Sequence, residues 1–245
     1  MKTTKRFAFV LTILLAAGFG HATAASSDDG SLVMLVTFKV KPEQREAFKA
    51  VLQKDAEGTR TESGNTTFEF YQAKDDANTF FLFERWTNQA ALDLHFTQAY
   101  VKNVLELSKT ALAKPMEILY LNDLAPLAVK DFKRPNGAEK SADKGVDLVV
   151  IFKVKDGMQE RFTKQFLNSV KYSRPEAGNI AFHIHAVKGD PNAFVLYERW
   201  KSQQALDDHF AQSYTKELFE MFKSALAKPV EESLIFINNL ALSAR

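Results

Sequence analysis

The sequence repeats itself at a constant spacing of 114 residues. The segment FLFERWTNQAALDLHF at Phe81–Phe96 returns as VLYERWKSQQALDDHF at Val195–Phe210. About 36 of about 83 aligned positions are identical between the two copies. A repeat of this length is too long for a solenoid unit and has the size of a small domain. The chain is therefore predicted to contain two copies of one compact domain.

The first residues are typical of a secretory signal peptide. Lys2, Lys5 and Arg6 form a basic start, which is followed by the almost wholly apolar run Phe7–Phe19. Small residues at 22–24 then form a cleavage signature. The apolar run is shorter than the roughly 20 residues that a membrane span needs. We expect a signal peptide over residues 1–24 that is cleaved near Ala24. The mature chain is then periplasmic or secreted, without a stable membrane anchor. An uncleaved anchor is the alternative.

The composition excludes several classes of function. Three of the 32 basic residues and no acidic residue lie in the predicted signal peptide, so the mature chain is close to electrically neutral. Such a chain has no basic field for nucleic acid, and we expect no nucleic-acid partner. The chain contains no cysteine, which excludes disulfides, thiolate nucleophiles and cysteine metal sites.

Each copy shows the same order of predicted elements: strand, helix, strand, strand, helix, strand. This order is that of a ferredoxin-like βαββαβ unit, an α+β fold. We predict one unit at residues 31–125, a charged linker at 126–146 and a second unit at 147–242. The strands are apolar on both faces, so the face away from the helices must also be covered. Packing the two sheets together within one chain, as a pseudo-dimer resembling a dimeric α+β barrel, meets this need; further homo-oligomerisation stays open.

The third predicted strand of each copy ends in the same motif. Glu-Arg-Trp at 84–86 is followed by Ala-Leu-Asp-Leu-His-Phe at 91–96, and the motif recurs at 198–200 and 205–210. This pattern resembles the antibiotic biosynthesis monooxygenase (ABM) family, in particular its quinol monooxygenase branch. The resemblance implies units that pair sheet to sheet in an α+β barrel. It also implies oxidation of a small quinol-like aromatic by O₂ without a cofactor.

The motif residues are expected to converge between sheet and helix. Glu84 and Trp86 lie two apart on a strand and share a face, and His95 belongs to the apolar stripe of the next helix. The resemblance implies His95 and His209 as bases, with Glu84 and Glu198 orienting them or titrating themselves. It also implies walls for the substrate, formed by aromatic side chains in both copies: Trp86, Trp200, Phe96, Phe210, Tyr100 and Tyr214.

A structural role for the same residues is the alternative. Tryptophan then belongs to the core, histidine fixes the helix against the strand, and glutamate pairs with a nearby basic residue. The corresponding alternative function is a non-catalytic or stress-related module that binds a small apolar ligand.

The two copies differ on their second strand. His183 and His185 share a face in copy two, where copy one has Glu69 and Tyr71. Two such imidazoles can ligate one metal ion, but the sequence offers no evident third ligand. The other interpretations are a solvated or inter-sheet pair, and a catalytic or substrate-binding role confined to copy two. Haem is disfavoured because the first strands lack the asparagine typical of haem-degrading relatives, and no nucleotide loop or serine-hydrolase elbow is present.

Overall fold

The computed structural model describes residues 30–125 and 145–240. The predicted signal peptide and most of the predicted linker lie outside these residues. Repeat one contains four strands and three helices: β1 (Leu32–Lys39), α1 (Arg45–Thr59), β2 (Asn65–Ala73), β3 (Thr79–Trp86), α2 (Gln89–His95), α3 (Ala99–Ala111) and β4 (Glu117–Asp123). Repeat two has the same order: β5 (Val146–Lys153), α4 (Gln159–Ser173), β6 (Asn179–Val187), β7 (Asp190–Trp200), α5 (Gln203–Ala211), α6 (Ser213–Ala225) and β8 (Leu234–Asn239).

Local sequence signals set where the helices begin. The side chain of Asn88 accepts a hydrogen bond from the amide of Ala91 at the start of α2, and Ser202 does the same for Ala205 at the start of α5. Each side chain thereby satisfies a backbone donor that the first turn of its helix leaves unpaired. Pro42 opens a short 3-10 turn that leads into α1, as its fixed backbone angle favours. Among the described residues, no helix is both long enough and apolar enough to cross a bilayer.

The eight strands form one closed antiparallel barrel in the order β1-β3-β2-β8-β5-β7-β6-β4. Each repeat contributes a four-stranded sheet, and the last strand of each repeat pairs with the second strand of the other. Leu121 lies opposite Val187 where β4 meets β6, and Ala73 lies opposite Ile237 where β2 meets β8. The pairing leaves no open sheet edge. The predicted pseudo-dimer of two ferredoxin-like units is confirmed.

Alternation along the strands separates three apolar cores. One core lies between the helices and sheet of repeat one and includes Trp86, and a second lies around Trp200 in repeat two. The third fills the barrel interior with side chains such as Leu35, Phe83 and Val149. The first and third strands of each repeat are apolar on both faces and bury both faces, as their sequence predicts. The last strand of repeat one differs, since Ile118 and Tyr120 on β4 are exposed.

The chain segments that follow β4 and β8 cross to the other repeat. Leu124 and Ala125 pack against the core of repeat two, and Leu240 packs against the core of repeat one. Arg174 donates a hydrogen bond of 2.6 Å to the carbonyl oxygen of Ala125. Each helix-side core is therefore completed by residues of the other repeat.

A buried cluster of three polar side chains joins the two repeats inside the barrel. Arg85 on β3 donates two hydrogen bonds, of 2.8 and 2.5 Å, to the carboxylate of Asp123 on β4. Nε2 of His185, on β6 of the other repeat, lies 3.1 Å from Oδ1 of Asp123. Nδ1 of His185 donates to the carbonyl oxygen of Val195 at 3.1 Å. Asp123 therefore links an arginine of repeat one to a histidine of repeat two.

We expect Asp123→Ala to destabilise the protein strongly, because it leaves the buried Arg85 guanidinium without its carboxylate. Removal of one partner of a buried pair costs about 3–5 kcal/mol. Urea unfolding followed by circular dichroism measures the free energy of unfolding. Glu106→Ala, which removes an exposed partner of Lys109, is the control and should change it far less. Equal losses in the two variants would contradict a structural role for the cluster.

Candidate functional site

A hydrogen-bonded glutamate–tryptophan pair lies under the helices in each repeat. Nε1 of Trp86 donates to Oε2 of Glu84 at 2.9 Å, and Nε1 of Trp200 donates to Oε2 of Glu198 at 2.8 Å. All four side chains are buried. The shared face predicted for residues two apart on a strand brings each pair together.

A histidine from the following helix lies against each tryptophan. The ring centroids of His95 and Trp86 are 4.5 Å apart, as are those of His209 and Trp200. Both histidines are buried, with 3% and 2% of their surface exposed. Histidine, tryptophan and glutamate therefore meet between sheet and helix in both repeats, in the arrangement expected from the sequence.

The carboxylate that contacts each histidine is one that the sequence reading missed. Nδ1 of His95 lies 2.8 Å from Oε1 of Glu62, and Nδ1 of His209 lies 2.7 Å from Oε1 of Glu176. Glu62 follows α1 and Glu176 follows α4, in the turns that lead to the second strands. The expectation that Glu84 and Glu198 orient the histidines is therefore replaced, since these two bind tryptophan.

Each of these turn glutamates also holds a tyrosine. The hydroxyl of Tyr100 donates to Oε1 of Glu62 at 2.8 Å, and that of Tyr214 donates to Oε1 of Glu176 at 2.5 Å. The repeat itself carried a signal for these residues. Between positions 49 and 63, only Arg60 and Glu62 recur in the second copy.

Burial controls the charge state of the site. Burial raises the pKa of Glu84 to about 8 and that of Glu198 to about 7, and in both the tryptophan hydrogen bond opposes the shift. Asp55 on α1 is buried too, and its pKa rises to about 7, mainly through burial, against the hydrogen bond from Thr59. Repeat two has Ser169 in this position. These carboxyl groups therefore keep their protons to a higher pH than exposed carboxyl groups do.

Burial also lowers the pKa of both histidines, although Glu62 and Glu176 act in the opposite direction. A neutral imidazole with Nδ1 beside a carboxylate carries its proton on Nδ1. Nε2 then has a free lone pair that can accept a proton. In repeat two, Nε2 of His209 lies 3.5 Å from the hydroxyl of Thr215.

Repeat two contains a small apolar cavity at this site. Its volume is about 30 Å³, and Glu198, His209 and Thr215 supply the polar part of its lining. The remaining walls are apolar side chains that include Phe166, Phe210, Leu218, Phe219 and Phe222. A cavity that binds benzene measures about 150 Å³, so this cavity is too small for an aromatic ring as it stands. An aromatic ligand can enter only if the walls move.

The other residues predicted for the site lie in three places: the cavity, the surface and the barrel interior. Phe210 lines the cavity, and Phe96 lies at the surface with 41% of its area exposed. His183 and His185 lie on the opposite face of the sheet, inside the barrel, where their rings contact Tyr197 and Phe83. The structure therefore does not bring these two histidines together with His209. Within the described ranges, no group of three or more His, Cys, Asp or Glu side chains could hold a metal ion.

The model of the family "Antibiotic biosynthesis monooxygenase" matches the chain twice, over residues 31–107 and 147–221. The chain belongs to the antibiotic biosynthesis monooxygenase family. The two matches fall on the two repeats of the barrel, so the chain carries a tandem pair of ABM domains. Each match includes the glutamate–tryptophan pair and the histidine of its repeat.

The chain is also similar to two relatives in sequence and to one solved structure in fold. The chain is 41% identical over 90 residues to an uncharacterized protein of Synechocystis sp., covering 37% of this chain and 61% of that protein. It is 30% identical over 88 residues to the Bacillus subtilis protein "Putative monooxygenase YcnE", covering 36% of this chain and 93% of that protein. A Fusobacterium nucleatum crystal structure, described as a putative monooxygenase, has a TM-score of 0.72 at 14% identity and covers 87% of this chain and 94% of its own. This last likeness extends the shared fold over both ABM repeats.

We expect Glu84→Gln to weaken the pH dependence of stability. Between the ordinary pKa of 4.5 and about 8, folded Glu84 holds a proton that the unfolded chain has released. The free energy of unfolding therefore falls as the pH rises through this window. Glutamine still accepts the tryptophan hydrogen bond but cannot ionise, so the variant should lose less stability between about pH 5 and about pH 8.

Urea unfolding at both pH values measures this difference. Glu106→Gln changes an exposed residue and serves as the control, which should follow the parent protein. A Glu84→Gln variant with the same slope as the parent would count against a buried, protonated Glu84.

We expect Glu176→Gln to lower the pKa of His209 further, because the Glu176 carboxylate raises this pKa against the effect of burial. Glu62→Gln should do the same for His95. Each substitution should leave the histidine of the other repeat unchanged, since each carboxylate contacts the histidine of its own repeat. NMR titration of the imidazole signals measures both values, and a rise in either pKa would refute the assigned contact.

Proposed function

We propose that this protein is an exported, cofactor-independent monooxygenase that oxidises a small quinol-like aromatic with O₂. The observation that carries the proposal is the site of repeat two, where His209 and the buried carboxyl of Glu198 line an apolar cavity. Membership of the ABM family supports the reaction class. The basic and apolar start of the chain supports export.

The proposed reaction converts a hydroquinone and O₂ into a hydroxyquinone and water. One oxygen atom forms a new bond to a ring carbon and the other leaves as water. The substrate supplies all four electrons that reduce O₂. Removal of a phenolic proton starts the reaction, because the resulting anion donates an electron to O₂ far more readily than the neutral phenol does.

The residues of repeat two fit the first step. Nε2 of His209 accepts the phenolic proton as a general base, a role that contributes about 10²–10⁴ in rate. Glu176, 2.7 Å from Nδ1, stabilises the imidazolium that forms. Glu198 in its protonated form can donate a hydrogen bond to the phenolate. Apolar walls exclude water from the reactive anion.

Substrate entry requires the cavity to enlarge beyond about 30 Å³. Phe210 and Phe219 lie at its wall with ring centroids 5.6 Å apart, and both are only partly buried. Rotation of partly exposed side chains is fast and leaves the backbone in place. We propose that these two phenylalanines move aside when an aromatic ring enters.

A second candidate function is a non-catalytic module that binds a small apolar ligand. It is favoured by the hydrogen bonds that already hold both histidines within the protein. Replacement of the histidines separates the two functions, because binding to apolar walls does not need a base.

We expect metal-free protein to consume O₂ with one or more members of a hydroquinone panel, measured with an oxygen electrode. With ¹⁸O₂, mass spectrometry should find one labelled atom in the hydroxyquinone. The double variant His95→Ala/His209→Ala should lose about 10²–10⁴ in rate. Glu220→Ala, an exposed change on α6, is the control and should keep the parent rate.

Absence of O₂ uptake across the panel, with an intact circular dichroism spectrum, would overturn the monooxygenase proposal. Thermal stabilisation by hydroquinones without O₂ uptake, retained in the double variant, would favour the binding module.

A further inference from the structure

The two homologous sites differ in the cleft between their long helices. In repeat one the cleft lies between α1 and α3, and in repeat two it lies between α4 and α6. The hydrogen-bonded residues of the site recur in both repeats, but the side chains that separate the helices do not. These differences decide how closely each pair of helices can approach.

Repeat one has a small residue at the point where the helices meet. Gly58 on α1 lies directly against the ring of Tyr100 on α3, and a Cβ atom at this position would overlap that ring. One edge of the tyrosine ring therefore contacts the helix at Gly58 while the hydroxyl binds Glu62. This contact brings α1 and α3 close together at Tyr100.

Repeat two has a tyrosine at the position that corresponds to Gly58. Tyr172 on α4 stacks on Tyr214 of α6, with ring centroids 5.2 Å apart and an interplanar angle of 25°. Tyr172 is 52% exposed, so the stack lies at the mouth of the cleft. In repeat two the ring of Tyr172 therefore lies between the helices. In repeat one the backbone at Gly58 contacts the ring of Tyr100 directly.

The side chains inside the cleft are also larger in repeat two than in repeat one. Three phenylalanines of repeat two, Phe166, Phe219 and Phe222, line the cavity. The corresponding residues of repeat one are smaller: Leu52, Leu105 and Ser108. Phe166 on α4 meets Phe222 on α6 with ring centroids 6.0 Å apart, so aromatic rings fill the space between these two helices. The smaller side chains of repeat one are compatible with the close approach of α1 and α3 at Gly58.

The polar lining differs as well. Thr215 places a hydroxyl beside Nε2 of His209, whereas Val101 occupies this position in repeat one. In repeat one the carboxyl group of Asp55, on the inner face of α1, is buried. Repeat two has Ser169 at the corresponding position. Repeat two therefore combines a cavity, a hydroxyl and a histidine nitrogen at one place.

We propose that the two repeats have divided their roles, so that a single-ring phenol binds only in repeat two, between α4 and α6 in the cavity lined by Glu198 and His209, both of which contact Trp200. Repeat one keeps the homologous residues as a closed structural site that completes the barrel. Tyr172 and the three phenylalanines determine which repeat accepts the ligand. The phenolic class of ligand rests on the proposed function, whereas the choice of repeat rests on the helix packing.

The sequence supplies a reporter for each site, because Trp86 and Trp200 are the only tryptophans of the chain. Incorporation of 5-fluorotryptophan gives two ¹⁹F resonances, which the variants Trp86→Phe and Trp200→Phe assign. The full-length protein is then titrated with 4-methylphenol, a phenol that is not a hydroquinone. We expect the Trp200 resonance to shift saturably while the Trp86 resonance stays in place. Equal shifts of both resonances, a shift of Trp86 alone, or no shift of either would overturn the proposal.

Matched substitutions test the packing argument. Leu218→Phe fills the cavity of repeat two and should weaken phenol binding at least about tenfold, the loss of about 1.4 kcal/mol. Val104→Phe is the same change at the corresponding position of repeat one and should leave the Trp200 titration unchanged. Tyr172→Ala alters an exposed residue, so the fold should tolerate it, and it should also weaken binding. Unaltered binding in both Leu218→Phe and Tyr172→Ala would refute the assignment.

The O₂ assay separates this inference from the proposed function. A shift of Trp200 without any O₂ uptake supports the division of roles and overturns the monooxygenase proposal. O₂ uptake together with equal shifts at both tryptophans leaves the monooxygenase proposal standing and overturns the division.

Discussion

Mutual closure of the two sheets is the constraint on which the rest of the structure depends. Each repeat alone would expose two sheet edges and one apolar sheet face. Pairing β4 with β6 and β8 with β2 removes the edges, and the shared interior buries the faces. The Arg85–Asp123–His185 cluster lies at one of these junctions and ties polar groups of both repeats together inside the barrel. A barrel of this kind requires both halves to fold.

This constraint frees one of the two sites to change. The glutamate, tryptophan and histidine of each repeat lie on the helix side of the sheet, away from the barrel interior. Both repeats must keep their sheets, but only one needs an accessible cleft. Gly58 in one repeat and Tyr172 in the other change the packing of the two long helices, while the contacts of Glu62 with His95 and of Glu176 with His209 stay the same.

The sequence predicted the fold because its signals are local or repeated. The repeat predicted two copies of one domain, the order of elements predicted the ferredoxin-like unit, and two-faced apolar strands predicted that the sheets cover each other. The shared face of Glu84 and Trp86 followed from strand geometry alone. The carboxylates that hold the histidines were missed, because Glu62 and Glu176 lie in turns whose position depends on the packing of α1 and α4.

By itself, the sequence determined a duplicated α+β unit, the order of its elements and the residues that recur at its helix–sheet interface. These features follow from periodicity and from chemistry between near neighbours. Only the tertiary structure decided that His185 joins Asp123 and Arg85 across the two repeats, and that His209 borders a cavity. The His185 contact and the cavity at His209 both depend on distances between elements that are far apart in the chain. Side-chain volume and barrel closure together determine these distances.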